Sequence, residues 1–285
     1  MKQILAILGD GPADPVLAAA WLVAKRFGGQ ITGLLGTGAE YAAAPAWQGG
    51  LSIYAALDPV VAGEREAQQA KAAAAFHRFL QALDVQFGAV PRRHKGVTAF
   101  WCGDNSRAPP AISTRSRLFD LIVMARPDRP TSSLAGITLE DTLFSSGRPV
   151  LVCPKRAPAQ LGDSIVIAWN GSTESAQTVA LAMPLLKRAR RVIVIATGRS
   201  DMPEPGPSGT ELGAALARHG INVHLRAAVG RQKRQGESFL REAQDADADL
   251  LLKGAYARSR LRQLVFGGAT RQILLASPIP VLIAR

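Results

Sequence analysis

The residues best suited to chemistry in this chain lie between Asp249 and Arg271. Asp249 opens a short apolar run, Leu250 to Leu252, which reads as a buried parallel strand, and Gly254 ends it. A basic loop follows. Gly267 and Gly268 then open a segment with helical spacing at Ile273, Leu274 and Ala276. Strand, glycine-containing loop and helix N-terminus form an arrangement that binds phosphate. The first free N–H groups of the helix point at the anion, and glycine lets the backbone come close. Arg258, Arg260, Arg262 and Arg271 add positive charge around that point.

Signatures of catalysis are missing. The chain has no Gly-x-Ser-x-Gly elbow, no Walker loop ending in Gly-Lys-Ser/Thr, and no His-Ile-Gly-His. Its four histidines, His77, His94, His219 and His224, are scattered and read as surface or capping residues. Asp245, Asp247 and Asp249 alternate as metal ligands can, but Asp249 opens a strand and the other two end a helix. We therefore expect no catalytic residue and no metal site. Slow ATP hydrolysis or nucleotidyl transfer would need a general base, and none is well placed.

The segment from Gly254 resembles the nucleotide loop of the universal stress protein family, Gly-x-x-Gly-x9-Gly-Ser/Thr. Gly254 stands at the first glycine and Gly267 at the third, with the family's spacing. Ala257 replaces the second glycine, and Gly268 the Ser or Thr. Ala168-Trp-Asn-Gly-Ser-Thr-Glu-Ser-Ala is a second stretch similar to the family. The resemblance implies ATP or another adenine nucleotide as ligand. Its contacts would be Asn170 after one strand, Thr197 after the next, and the loop residues Gly254, Tyr256, Ala257, Arg258, Gly267, Gly268 and Ala269. The family's acid near the nucleoside is an amide here, Asn170, which donates and accepts hydrogen bonds without charge. A local alternative for these residues is Asn170 in a turn and Ser172 as an N-cap.

The elements that must position those residues come as two similar halves. In the first, strands are expected at Gln3–Leu8, Gln30–Gly36, Val97–Cys102, Asp120–Ala125 and Pro149–Cys153. Helices are expected at Pro15–Phe27, Glu64–Leu83, from Pro109 or Pro110, and Leu134–Ser146, with Gly38–Pro59 as a loop insertion. The second half repeats the order, with strands at Ser164–Trp169, Arg191–Ala196, Asn222–Val229, Asp249–Leu252 and Pro280–Ala284. Its helices are expected from Ser172 to Lys187, at Glu211–His219, at Gly236–Ala246 and from Gly267. The repeat is visible residue by residue. Phe119-Asp-Leu-Ile-Val-Met-Ala answers Ala248-Asp-Leu-Leu-Leu-Lys-Gly, and Arg148-Pro-Val-Leu-Val answers Ile279-Pro-Val-Leu-Ile.

Alternating strands and helices imply right-handed crossovers and parallel sheets covered on both faces. Each half is thus expected to be a doubly wound, five-stranded α/β domain, over residues 1–154 and 163–285, with Pro154 to Gly162 as linker. This is the tandem layout that the family resemblance implies. The first half's loop, Ala125-Arg-Pro-Asp-Arg-Pro, has no glycine and two prolines, so it makes a poor phosphate nest, and Asp10 has no glycine loop to work with.

Composition narrows the remaining classes. With 285 residues, 47% of them hydrophobic, the chain can bury one large core or two ordinary ones. No apolar run is long enough to span a membrane, and Met1-Lys2-Gln3-Ile4 leads straight into a strand pattern, so no signal peptide is expected. Cys102 and Cys153 form no disulfide framework. The cytoplasm is the expected compartment. A net charge of +12, part of it at Arg92–Lys95, Lys187–Arg191 and Arg231–Arg234, favours anionic partners, whether a small ligand such as a nucleotide, nucleic acid or acidic protein. The alternative for each group alone is solvated surface. Nucleic acid is disfavoured, because no aromatic residues alternate with these clusters. Pro149-Val-Leu-Val-Cys and Pro280-Val-Leu-Ile-Ala are apolar edges that need cover. They point to a homodimer or an intramolecular pseudo-dimer. The resemblance implies a non-enzymatic role in stress survival, and the alternative is a scaffold for a protein partner that binds no nucleotide.

Overall fold

A computed structural model of the chain describes residues 1–9, 11–36, 59–88, 96–103, 112–127, 134–196, 206–227, 235–255 and 268–285. It divides into two compact units, Met1–Ser146 and Gly147–Arg285.

Unit 1 runs β1 (Gln3–Leu8), α1 (Asp14–Phe27), β2 (Gln30–Leu35), α2 (Pro59–Gln81), β3 (Gln86–Phe87), β4 (Thr98–Trp101), α3 (Ile112–Ser116), β5 (Leu121–Ala125) and α4 (Leu134–Ser145). Its strands lie in the order β3-β4-β2-β1-β5, all parallel. β1 is buried over Ile4–Leu8, as a central parallel strand covered on both faces must be. α1 begins with Asp14 and Pro15, which suit a first turn, and stops at Gly28, whose left-handed φ of 58° closes the helix onto Ala24. Gly33 on β2 makes room for the aromatic packing of this unit. A Cβ there would lie 2.5 Å from the Trp101 ring and 2.6 Å from that of Phe76. Those two rings meet with centroids 5.4 Å apart, and His77 packs on Phe87 beside them.

Two details of unit 1 differ from the sequence reading. α2 starts at Pro59, before Glu64, because proline fits a first turn. β3 was not expected, since two residues carry no periodicity. Of the stretch read as a loop insertion, residues 38–58 lie outside the described residues.

Unit 2 runs β6 (Val150–Cys153), β7 (Ser164–Trp169), α5 (Thr173–Leu186), β8 (Arg191–Ala196), α6 (Gly209–Arg218), β9 (Val223–Ala227), α7 (Gln235–Asp245), β10 (Leu250–Gly254), α8 (Gly268–Ala276) and β11 (Val281–Ala284). The strand order is β6-β11-β10-β7-β8-β9. Every pair is parallel except β6 with β11, which is antiparallel, Val152 opposite Val281 and Val150 opposite Ile283. The sheet is therefore mostly parallel: the five strands expected over residues 163–285 all run parallel, and β6, read from sequence as the last strand of the first half, falls in this unit as a sixth, antiparallel strand. An apolar run such as Val150–Cys153 marks a buried strand but carries no information on its direction. The two apolar edges singled out in the sequence cover each other.

An aspartate locks each sheet at its amino edge. In unit 2 the Asp249 carboxylate accepts from Gly162 N (2.7 Å), from Asp163 N through both oxygens (2.9 and 3.1 Å) and from Ser164 N (3.3 Å), while Asp249 N donates to Ser164 O. In unit 1 Asp120 accepts from Lys2 N and Gln3 N and donates its own N–H to Gln3 O. The repeated Asp before the apolar run thus ties the start of β10 or β5 to the start of β7 or β1. Burial raises the Asp249 pKa above the usual carboxylate range, and the N–H groups of Asp163, Gly162 and Ser164 oppose that rise.

Candidate functional site at the carboxyl edge of unit 2

From β7 the chain winds to β8 and β9 on one side, then returns to β10 and β11 on the other. The strand order therefore reverses between β7 and β10, and the crevice beyond the carboxyl ends of an open α/β sheet at such a point is where ligands bind. β7 delivers Trp169 and Asn170 to this edge, and β10 delivers Lys253, Gly254 and Ala255, with Lys253 in register with Ala168.

Local sequence explains the β7 side. The Asn170 amide oxygen accepts from Ser172 N at 3.2 Å, a turn that Gly171 completes with a φ of +71°. Ser172 is the N-cap of α5 and accepts from Ser175 N at 3.2 Å, and Glu174 sits in the first turn. Asn170 is half-buried and Ser172 buried. α5 therefore starts at the crevice, with its N-terminal dipole there.

Gly254 is tied to the same helix. A Cβ on it would lie 2.5 Å from Ser175 N and 2.7 Å from the Glu174 carbonyl carbon, both backbone atoms that cannot swing away. The first glycine of the motif thus has a packing reason of its own, the close approach of α5 to β10.

A contact that sequence reasoning missed joins the loops after β7 and β8. The Trp169 indole N–H donates to Pro207 O at 2.7 Å, and Trp169 is almost fully buried. A Cβ on Gly206 would lie 1.9 Å from Gly171 O, so only glycine allows this approach. The available signal was the run Pro205-Gly206-Pro207 just before a helix. Ser208 then caps α6 in a capping box with Glu211, and the bonds from Ser208 hold the Glu211 carboxyl below its usual range.

Of the other residues named from sequence, Gly268 opens α8, exposed and with open space where a Cβ would stand, and Ala269 follows it half-buried. The first turn of α7 packs against this helix, Gly236 N donating to Gln272 Oε1 at 3.1 Å. Thr197, Tyr256, Ala257, Arg258 and Gly267 lie outside the described residues, as do Asp10, Arg260 and Arg262. The structure thus brings Asn170 and Gly254 together around the N-terminus of α5 and places Gly268 at the N-terminus of α8.

The basic group at Lys187–Arg191 belongs to the opposite edge. Lys187 is the C-cap of α5, and Arg190 N and Arg191 N both donate to Asp163 O at the foot of β7. The Arg191 guanidinium donates to Ser164 Oγ and to Ala246 O. Cations near helix C-termini complement the dipole, as do Lys25 and Arg26 in α1 and Arg218 in α6. His219 is the C-cap of α6. Among the described residues no helix is long and apolar enough to cross a membrane, and no group of three His, Cys, Asp or Glu could hold a metal ion.

A mostly parallel sheet whose strand order reverses between β7 and β10 defines an open α/β domain. Residues 163–285 match the model of the universal stress protein family, so this part of the chain is a domain of that family. The chain is also similar to a universal stress protein from Synechocystis, 29% identical over 175 residues. That match covers 59% of this chain and 58% of the relative, less than two thirds of its length. The fold resembles that of a universal stress protein from Archaeoglobus fulgidus, with a TM-score of 0.64 and 16% identity over 99% of this chain and 95% of that one. A functionally unknown protein from Pseudomonas aeruginosa PAO1 is similar at a TM-score of 0.53, with 16% identity over 100% and 92% of the two chains.

Proposed function

We propose that this chain is a non-enzymatic regulatory protein of stress survival, built as two universal stress protein domains in tandem, acting in the cytoplasm. Its second domain takes ATP or another adenine nucleotide at the crevice between β7 and β10. The reading rests on the family match of residues 163–285 together with Asn170, Gly254 and the N-terminus of α5 converging at the switch point. Asn170, Thr197 and the loop from Gly254 through Tyr256, Ala257 and Arg258 to Gly267, Gly268 and Ala269 supply its contacts. The antiparallel ladder of β6 on β11 gives both apolar edges cover within unit 2.

The second reading is a scaffold that binds a protein partner and no nucleotide. Two observations favour it. The Asn170 amide is already engaged with Ser172, and Gly254 is accounted for by packing against Ser175. Mass spectrometry of small molecules released from freshly purified protein separates the two readings. An adenine nucleotide among them, or one retained after soaking, supports the first, and the absence of both favours the scaffold.

A further inference from the structure

Asn170 is held on both sides by the segment Gly206–Pro207. Before it in sequence, the Trp169 indole N–H donates to Pro207 O at 2.7 Å, and Trp169 keeps only 4% of its surface exposed. After it, a Cβ on Gly171 would lie 3.1 Å from the same carbonyl oxygen and 3.1 Å from Gly206. The segment is itself fixed, because Ser208 next to it caps α6. A buried indole needs a partner for its N–H, and here the partner belongs to the connection that follows β8. That connection therefore ends as a strap on the turn at Asn170.

The equivalent place in unit 1 cannot make this bond. Leu8 ends β1 as Trp169 ends β7, each the sixth residue of its strand and each in register with the end of the next, Leu35 and Ala196. A leucine fills space but its side chain offers no N–H. The bond thus belongs to the half in which the crevice was found.

We infer that the Trp169–Pro207 bond is a latch that sets the ligand affinity of the unit 2 crevice, with Trp169 as a positioning residue acting through Asn170. This rests on the reading of the crevice as a nucleotide site and names a control on it outside the glycine loop. With the latch closed, the turn at Asn170 and the strap are held as one wall before the ligand arrives, so less ordering is lost on binding. With it open, the apparent affinity falls with the fraction of molecules still closed.

The test is calorimetry of the full chain with ATP, on the wild type, Trp169→Phe, Gly206→Ala and the double variant, with thermal melting of each. Trp169→Phe keeps an aromatic ring and removes the donor. Gly206→Ala drives the strap off, because its Cβ would collide with Gly171 O. Acrylamide quenching, compared between the wild type and Trp169→Phe, isolates the signal of Trp169 from that of the other tryptophans. Each single variant should bind ATP about three- to tenfold more weakly, the range of one neutral hydrogen bond. The double variant should bind no more weakly than the weaker single, because both changes open one latch. ATP should lower the quenching of Trp169, since binding favours the closed arrangement. Folded variants that bind ATP as the wild type does, losses that add in the double variant, or quenching that ATP leaves unchanged overturn the latch and leave the nucleotide reading intact. Unfolding of both single variants also overturns it, because the contact is then packing alone. A wild type that binds no ATP overturns the nucleotide reading and the latch with it.

Discussion

Gly254 and Ser175 stand so close that a methyl group on the glycine would lie 2.5 Å from the serine's backbone nitrogen. The contact is between β10 and the first turn of α5, and neither backbone can yield without moving its element. Gly254→Ala should therefore lower unfolding stability by about 1–3 kcal/mol, the usual cost of overpacking. Urea denaturation with and without nucleotide measures it. The loss without nucleotide isolates the packing cost, and the loss with nucleotide should be at least as large, because Gly254 is also a proposed contact. A variant as stable as the wild type would show that α5 has room to move.

The Asp249 clamp predicts an asymmetry between the repeats. Asp249→Ala leaves the N–H groups of Gly162, Asp163 and Ser164 without their acceptor in a buried setting and should cost about 2–4 kcal/mol. Asp120→Ala should cost about 0.5–1.5 kcal/mol, because its partners Lys2 and Gln3 are exposed. Chemical denaturation of both variants decides it, and equal losses would contradict the account.

A pH dependence follows from the same residue. The folded-state pKa of Asp249 is raised by burial, so ionisation opposes folding. Its favourable contribution is full below the unfolded value, about 3.9, and is lost as pH rises through the higher folded value. Relative to Asp249→Asn, the wild type should be at its best near pH 3.5 and lose ground toward pH 7. Denaturation at both pH values tests this, and a wild-type advantage that grows with pH refutes it.

The ladder of β6 on β11 makes a prediction about fragments. Residues 163–285 alone lack β6 and leave the apolar edge of β11 unpaired, so they should self-associate. Residues 147–285 retain β6 and should associate less. Analytical ultracentrifugation of the two fragments compares them. A well-behaved monomer of the shorter fragment would count against the edge argument.

Much of this fold was legible because buried parallel strands write themselves as continuous apolar runs, such as Ser164–Trp169 and Arg191–Ala196, which the structure reproduces residue for residue. The helices from Leu134 and after Ser172 were also found within a residue, the second because Ser172 marks its start as an N-cap. What escaped was relational. The direction of β6, the pairing of Gln86–Phe87 and the touch of Gly206 on Gly171 depend on which segments meet in space. Of the site, the turn at Asn170 and the cap at Ser172 were readable as local chemistry. The packing role of Gly254 was not, because a motif glycine and a packing glycine look the same in sequence.

The central claim, an adenine-nucleotide site in unit 2, is tested most directly by calorimetry of ATP with the wild type and with Ala257→Gly combined with Gly268→Ser. Open space at the Cβ position of Gly268 means that the serine enters without a clash. The hydroxyl adds one hydrogen bond, about 0.5–1.5 kcal/mol, and glycine at 257 relieves about 1 kcal/mol if the loop requires a left-handed residue there. The account predicts weak binding by the wild type and binding about one to two powers of ten tighter in the double variant. No detectable heat from either protein would contradict it and leave the scaffold reading in its place.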